Sequence, residues 1–173
     1  RSRFDNYLTH YKDFDGTLEE FLALDNITYS DKVWVFIRLS NKSQLLRWSY
    51  LCAESVLHIF ETKYPNDKRP RQTLDAKLKY INEPTEDNLV NLSDRRKAAY
   101  AAAAYAVNTA NADAADAANA AATANDANTA AYADYVDYEA AAAANAADTY
   151  TAAAAARKAQ QDLNLLFMIE AVY

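Results

Sequence analysis

A chain of 173 residues is long enough for one sizeable core or two small, closely packed ones, and its net charge is −6. No run approaches the ~20 consecutive apolar residues that span a bilayer, and a single cysteine, Cys52, excludes an internal disulfide and suits a reducing compartment. With one glycine the Gly-rich phosphate loops are impossible, so Walker and dinucleotide motifs are absent.

One glycine, three prolines and abundant Ala, Leu, Glu and Lys point to an all-α protein. Gly16 and Thr17 open the first clear helix, since Thr17 with Glu20 three residues on has the spacing of a capping box and Leu18, Phe21 and Leu22 supply an apolar face. Ser30 and Asp31 start "DKVWVFIRL". Its β-branched content would suit a strand, but no partner strand exists elsewhere, so a helix is expected. Ser43 to Tyr64 reads as the strongest helix. Leu45, Cys52, Val56 and Ile59 fall on one line, and Leu46, Tyr50, Ala53, Leu57, Phe60 and Tyr64 on the adjoining one, so the helix should be central to the N-terminal half. Arg47, Leu51, Glu54, His58 and Glu61 form its remaining strip, and Pro65 stops it. Pro70 suits the first position of a helix running to about Ile81. Pro84 and Thr85, followed by Glu86 and Asp87, mark another start, from which helix should continue through "RRKAAYAAAAYAV".

Alanine fills 33 of the 59 positions from Ala98 to Ala156, with no lysine, arginine or glycine among them. Asn108–Asn111, Asn125–Thr129 and Asn145–Thr149 are clusters of cap-forming residues, expected to break this tract into antiparallel helices. Alanine loses no side-chain entropy on folding but brings little apolar area, about 0.8 kcal/mol for each buried methyl. Its compensation is close approach of helix axes. Tyr100, Tyr105, Tyr132, Tyr135, Tyr138 and Tyr150 could fill the gaps, and packing of the stripe Tyr132, Tyr135, Tyr138 is expected over exposure. Threonines in the tract are irregularly spaced, which disfavours an ice-binding row. The last segment, "DLNLLFMIEAVY", is apolar almost all round and should bury itself against the N-terminal half or a second chain. The expected architecture is a multi-helix bundle with closely packed Ala-rich antiparallel helices in its C-terminal half. Residues 1–92 form an N-terminal helical region and 93–173 an Ala-rich region packed on it as one compact unit.

Charge is unevenly placed. Residues 1–97 carry 16 Lys+Arg and 15 Asp+Glu, whereas residues 98–156 carry seven acids and no base. Direct nucleic-acid binding is therefore not expected, because phosphate would be repelled there. Acids that merely solubilise an alanine-rich helix set are the plainer explanation. The start at Arg1 without Met leads us to expect a native start further upstream.

Catalytic inventory is poor. Glu54, His58 and Glu61 share one helix strip, but no second histidine lies near them and no HExxH or paired ExxH motif exists, so a solvated or salt-bridged strip is expected and no metal or cofactor. Cys52 faces the apolar side and reads as an inert core thiol. In "NDKRPR", residues 66–71, Arg69 and Arg71 stand at a helix start, where positive charge opposes the macrodipole unless carboxylates answer it. Glu54, Glu61, Asp67 and Asp75 are the nearest candidates. Glu54, Asp67, Arg69 and Arg71 are thus expected to form a structural clamp between helices, with an anion or partner contact as the alternative.

With "GTLEEFLAL", "DKVWVFIRL" and "LCAESVLHIFETKYPNDKRPR" followed by an Ala/Asp/Tyr-rich helical tail, the chain resembles the immunity-protein-five-like family linked to polymorphic toxins, over roughly residues 16–160. Lys32 stands where that family often has a second tryptophan, and Asn82 where glycine is common. The resemblance implies a helical protein that protects a cell by binding another protein; with the missing catalytic inventory and the single cysteine, a cytoplasmic protein, not an enzyme, that occludes a toxin or other effector is expected. An acidic, tyrosine-bearing surface suits a basic partner, with Asp113, Asp116, Asp126, Tyr132, Asp134, Tyr135 and Asp137 as candidate contacts. The alternative is a phage-type anti-defence inhibitor whose acidic surface imitates DNA, for which seven acids in 59 residues is sparse. A homo-oligomer could form through the C-terminal apolar helix.

Overall fold

The computed structural model of the protein describes residues 3–108 and 154–173. Among them there are seven helices and no strand: α1 (Arg3–Tyr11), α2 (Leu18–Leu22), α3 (Tyr29–Leu39), α4 (Lys42–Lys63), α5 (Arg69–Asn82), α6 (Glu86–Asn108) and α7 (Ala154–Val172). The all-α expectation therefore holds. No described helix is long and apolar enough to cross a membrane.

Local chemistry sets the helix starts. Thr17 and Glu20 form the expected capping box, with Thr17 Oγ1 accepting from the Glu20 N–H at 3.2 Å and Glu20 Oε2 accepting from the Thr17 N–H at 2.7 Å. Gly16 before it leaves room for both side chains: a Cβ there would lie 2.6 Å from Glu20 Oε2 and 2.8 Å from Phe14 Cζ. Helix α3 starts one residue earlier than Ser30, because the Thr28 hydroxyl caps the Asp31 N–H at 3.2 Å. Helix α4 starts at Lys42, since Asn41 and Gln44 make a reciprocal capping box at 2.9 and 3.0 Å. Pro70 occupies the second helical position of α5 and not the first, as Lys68 provides the N-cap and Arg69 the first turn residue.

Helix α4 is the hub. It packs against both α5 and α7, α5 packs on α6, and α2 touches α3 and α7. Both lines read from the sequence face the core, with Leu57 and Phe60 completely buried and Tyr50 and Tyr64 half-buried. Trp48 lies on the first line, three residues after Leu45, and is also fully buried. Its ring meets Phe36 edge to face at 5.2 Å, and its Nε1 donates to the carbonyl of Asn164 at 3.1 Å.

That last bond shows where the C-terminal helix goes. Of the two expected destinations, α7 takes the N-terminal half: Met168 and Ala171 enter the common core, with Leu165, Phe167, Ile169 and Val172 packed around them. Asn164, fully buried, also donates from Nδ2 to the Tyr29 hydroxyl at 3.1 Å, so one residue pins α7 to both α3 and α4. Helix α6 continues unbroken through the first alanines. Leu92, Ala99, Ala102 and Ala103 are buried on it, and the last three fall at helical three- and four-residue steps. The Thr73 hydroxyl of α5, 2.7 Å from Arg69 O and 2.9 Å from Arg95 O, reflects the close α5–α6 approach. The expected breaks at Asn125–Thr129 and Asn145–Thr149, and that at Asn108–Asn111 beyond its first residue, lie outside the described residues.

Candidate protein-binding surfaces

The two arginines of "NDKRPR" find different partners. Arg69 turns back on its own loop, its Nε and Nη2 donating to the two oxygens of Asp67 at 2.9 and 2.5 Å. Arg71 reaches across to α4 and lies between two carboxylates. Its Nη1 donates to Glu54 at 2.6 Å, and its Nε and Nη2 donate to Glu61 at 2.9 and 3.1 Å. Glu54 and Glu61 stand seven residues apart on α4, two helical turns, and both side chains converge on the one guanidinium. Sequence order thus places two like charges on one strip, and the start of α5 brings the cation that makes them compatible.

Ionisation follows this geometry. The hydrogen bond from Arg71 holds the Glu61 carboxyl below its ordinary value, and the bond from Arg69 does the same for Asp67. Arg71 and Arg69 are held above the ordinary guanidinium value, chiefly by their bonds to Glu61 and Asp67 respectively. Nearby, burial pushes the Tyr50 phenol up, with the Glu54 charge adding to it. His58, on the same strip, is exposed, and its Nδ1 lies 3.1 Å from the Ser55 carbonyl. Among the described residues no group of three or more His, Cys, Asp or Glu could hold a metal ion, and Cys52 is buried. A depression of about 520 Å³ opens beside this cluster, lined by Lys63, Tyr64, Pro65, Asn66, Asp67, Arg69 and Tyr105. Tyr105 meets Tyr64 edge to face at 5.6 Å and remains half-exposed, so this tyrosine of the alanine tract fills a gap between helices on one side only.

A second feature was not anticipated from the sequence. Helices α1, α2 and α3 enclose an apolar groove of about 580 Å³, lined by Phe4 and Tyr7 of α1, Phe14, Gly16 and Thr17 of the connection, Leu18 and Phe21 of α2, Ile27, and Asp31, Trp34, Val35 and Leu39 of α3. Phe4 is 66% exposed, Trp34 42% and Leu39 68%, so its rim is open to solvent. The Arg38 guanidinium lies 3.6 Å from the centre of the Trp34 ring. Residues 4–39 carry seven acids, Asp5, Asp13, Asp15, Glu19, Glu20, Asp25 and Asp31, against Lys12, Lys32 and Arg38, and Lys32 is buried. The signal was present: Phe4, Tyr7, Leu8 and Tyr11 recur at three- and four-residue steps, the mark of an amphipathic helix.

The candidate contacts Asp113, Asp116, Asp126, Tyr132, Asp134, Tyr135 and Asp137 lie outside the described residues, as do the acids that a DNA-like surface would use.

These elements define a class: an all-α, multi-helix protein. A family model described as "Imm-5 like putative immunity protein" matches residues 36–166. The chain belongs to that family, the one its motifs resemble, although the match begins after "GTLEEFLAL" and most of "DKVWVFIRL". No curated protein and no solved structure matches it.

Proposed function

We propose that the protein is a non-enzymatic helical inhibitor that acts in the cytoplasm and neutralises a toxin or other effector protein by binding and occluding it. Membership of the immunity family over residues 36–166 is the observation that carries this reading. The polar chemistry supports it: the carboxylates of Glu54, Glu61 and Asp67 are engaged by arginines, an arrangement suited to tying helices and to presenting a fixed surface. In this reading Arg71 with Glu54 and Glu61 forms the clamp between α4 and α5, the Arg69–Asp67 pair braces the loop before α5, and the acids and tyrosines from Asp113 to Asp137 remain proposed contacts for a basic partner.

The test is protection. A toxin gene adjacent to this one is induced in a host with and without the chain, and the purified pair is run on a sizing column. Survival only with the chain, together with a stoichiometric complex, is expected. Cells that die equally in both cases, with no complex formed, would overturn the proposal.

A further inference from the structure

Resting on that reading, we infer that the α1–α3 groove is a docking site for a basic amphipathic helix of the partner protein.

Four observations converge on this occupant. First, the groove is apolar in its walls and exposed at its rim, where Phe4, Trp34 and Leu39 present large surfaces to water. Second, Asp5, Asp13, Asp15, Glu19 and Glu20 each directly neighbour a lining residue in the chain, and all five are exposed. An apolar occupant flanked by lysines or arginines is complementary to that rim, and one flanked by acids is rejected. Third, no described element is a strand, so there is no sheet edge to receive an extended peptide among these residues. A helix laying its apolar face into a groove needs no such edge. Helix α3 has 11 residues and is about 16 Å long, which suits a partner helix of about three turns, with anchors spaced three and four residues apart. Fourth, all lining residues except Leu39 precede the family-matched stretch, which starts at residue 36. The matched stretch therefore supplies little of the groove wall.

Arg38 has a defined part in this arrangement. Stacked on Trp34, it covers one face of an indole that lines the groove. An incoming lysine would face the acids along α1 and α2, away from this lone exposed cation of α3.

The experiment uses the full chain and a fluorescein-labelled amphipathic leucine–lysine peptide, with a leucine–glutamate peptide of the same pattern as control, followed by anisotropy. The leucine–lysine peptide should bind and weaken as salt is raised, and the control should not bind. Phe4→Gln with Leu39→Gln should weaken binding by about ten-fold or more, a loss typical of interface anchors, without lowering Tm. Asp13→Lys with Asp15→Lys should weaken it in the salt-dependent part. Equal binding of the two peptides, equal binding by the Gln variant, or no binding at all would each overturn the inference. A concentration-dependent dimer that Leu39→Gln abolishes would do so too, by assigning the groove to a second copy. The protection assay separates this inference from the reading beneath it. If the wild-type chain fails to protect, the immunity reading falls whatever the peptide does. If the Gln variant loses the peptide but protects fully, the groove is not the toxin's dock and the immunity reading stands.

Discussion

Helices α4 and α1 are both rich in aromatic and aliphatic side chains, and the structure uses them oppositely. Helix α4 buries ten of its 22 residues between α5 and α7, whereas no described side chain of α1 is buried. The same residue types thus supply cohesion in one place and solvent-facing apolar surface in the other. What differs is coverage: α4 has neighbours on two sides, and α1 meets the groove on one. Apolar composition alone does not distinguish a core helix from one wall of a docking surface.

The sharpest way to break this contrast is at Trp48. Trp48→Ala removes a fully buried indole, its edge-to-face contact with Phe36 and its hydrogen bond to the Asn164 carbonyl. A loss of about 3–5 kcal/mol is expected, on the scale of large aromatic truncations in cores. Urea unfolding followed by circular dichroism measures it, and a loss under about 1 kcal/mol would contradict the hub role given to α4.

Next comes the clamp. Arg71→Met leaves Glu54 and Glu61, two turns apart on one strip, without their shared cation. The side chains of Arg71, Glu54 and Glu61 are 32%, 35% and 30% exposed, so solvent screens the interaction and about 1–2 kcal/mol is expected. Its pH dependence has a definite sign. Glu61 is held below its ordinary value in the folded state, so in that window the unfolded chain binds more protons and stability rises with pH. The contribution is complete above the ordinary glutamate value of about 4.3 and is lost as pH falls through the lower folded one. The difference between wild type and Arg71→Met should therefore be widest near neutral pH and shrink in acid. A difference that stayed constant down to strongly acidic pH would mean that Arg71 acts through its aliphatic stem and not its charge.

A smaller effect is expected where the groove wall is built. Thr17→Ala removes one arm of the capping box at the start of α2, and a cost of about 1 kcal/mol is typical for a lost cap. Gly16→Ala acts on the same turn, since its methyl must displace both the Glu20 carboxylate and the Phe14 ring. Because Gly16, Thr17 and Phe14 all line the groove, both substitutions should weaken the leucine–lysine peptide more than they lower Tm. Proportional losses would place the turn in the fold alone.

Much of the fold was legible because the decisive signals were local. Two apolar lines on α4, the Thr17–Glu20 spacing and the proline before α6 each depend on residues within a turn or two. The α4 strip was legible as a set of charges, but which arginine would reach it was not. Arg69 and Arg71 look equivalent in sequence, and only the α4–α5 packing sends Arg71 to Glu54 and Glu61 while Arg69 returns to Asp67. Asn164 was hidden for the same reason. Within "DLNLLFMIEAVY" it reads as a polar interruption, and its value lies in two partners, Trp48 and Tyr29, more than a hundred residues away. The groove escaped because its walls come from three separate helices, which only their packing brings together.

The smallest expected change separates the two uses of apolar residues most cleanly. Leu39 and Leu57 are the same side chain on neighbouring helices, one 68% exposed and the other fully buried. Truncating Leu57 to alanine should cost about 2–5 kcal/mol through lost transfer energy and the cavity left behind. Leu39→Gln leaves no cavity and moves little apolar area into water that was not there already, so a change within about 0.5 kcal/mol is expected. Chemical denaturation of the two variants side by side tests this directly. If Leu39→Gln destabilised the fold as Leu57→Ala does, α3 would lean on Leu39 for cohesion and the groove rim would be core. If Leu39→Gln keeps its midpoint yet loses the peptide, the residue is held at the surface for a purpose other than folding, because a polar side chain would serve stability equally well there.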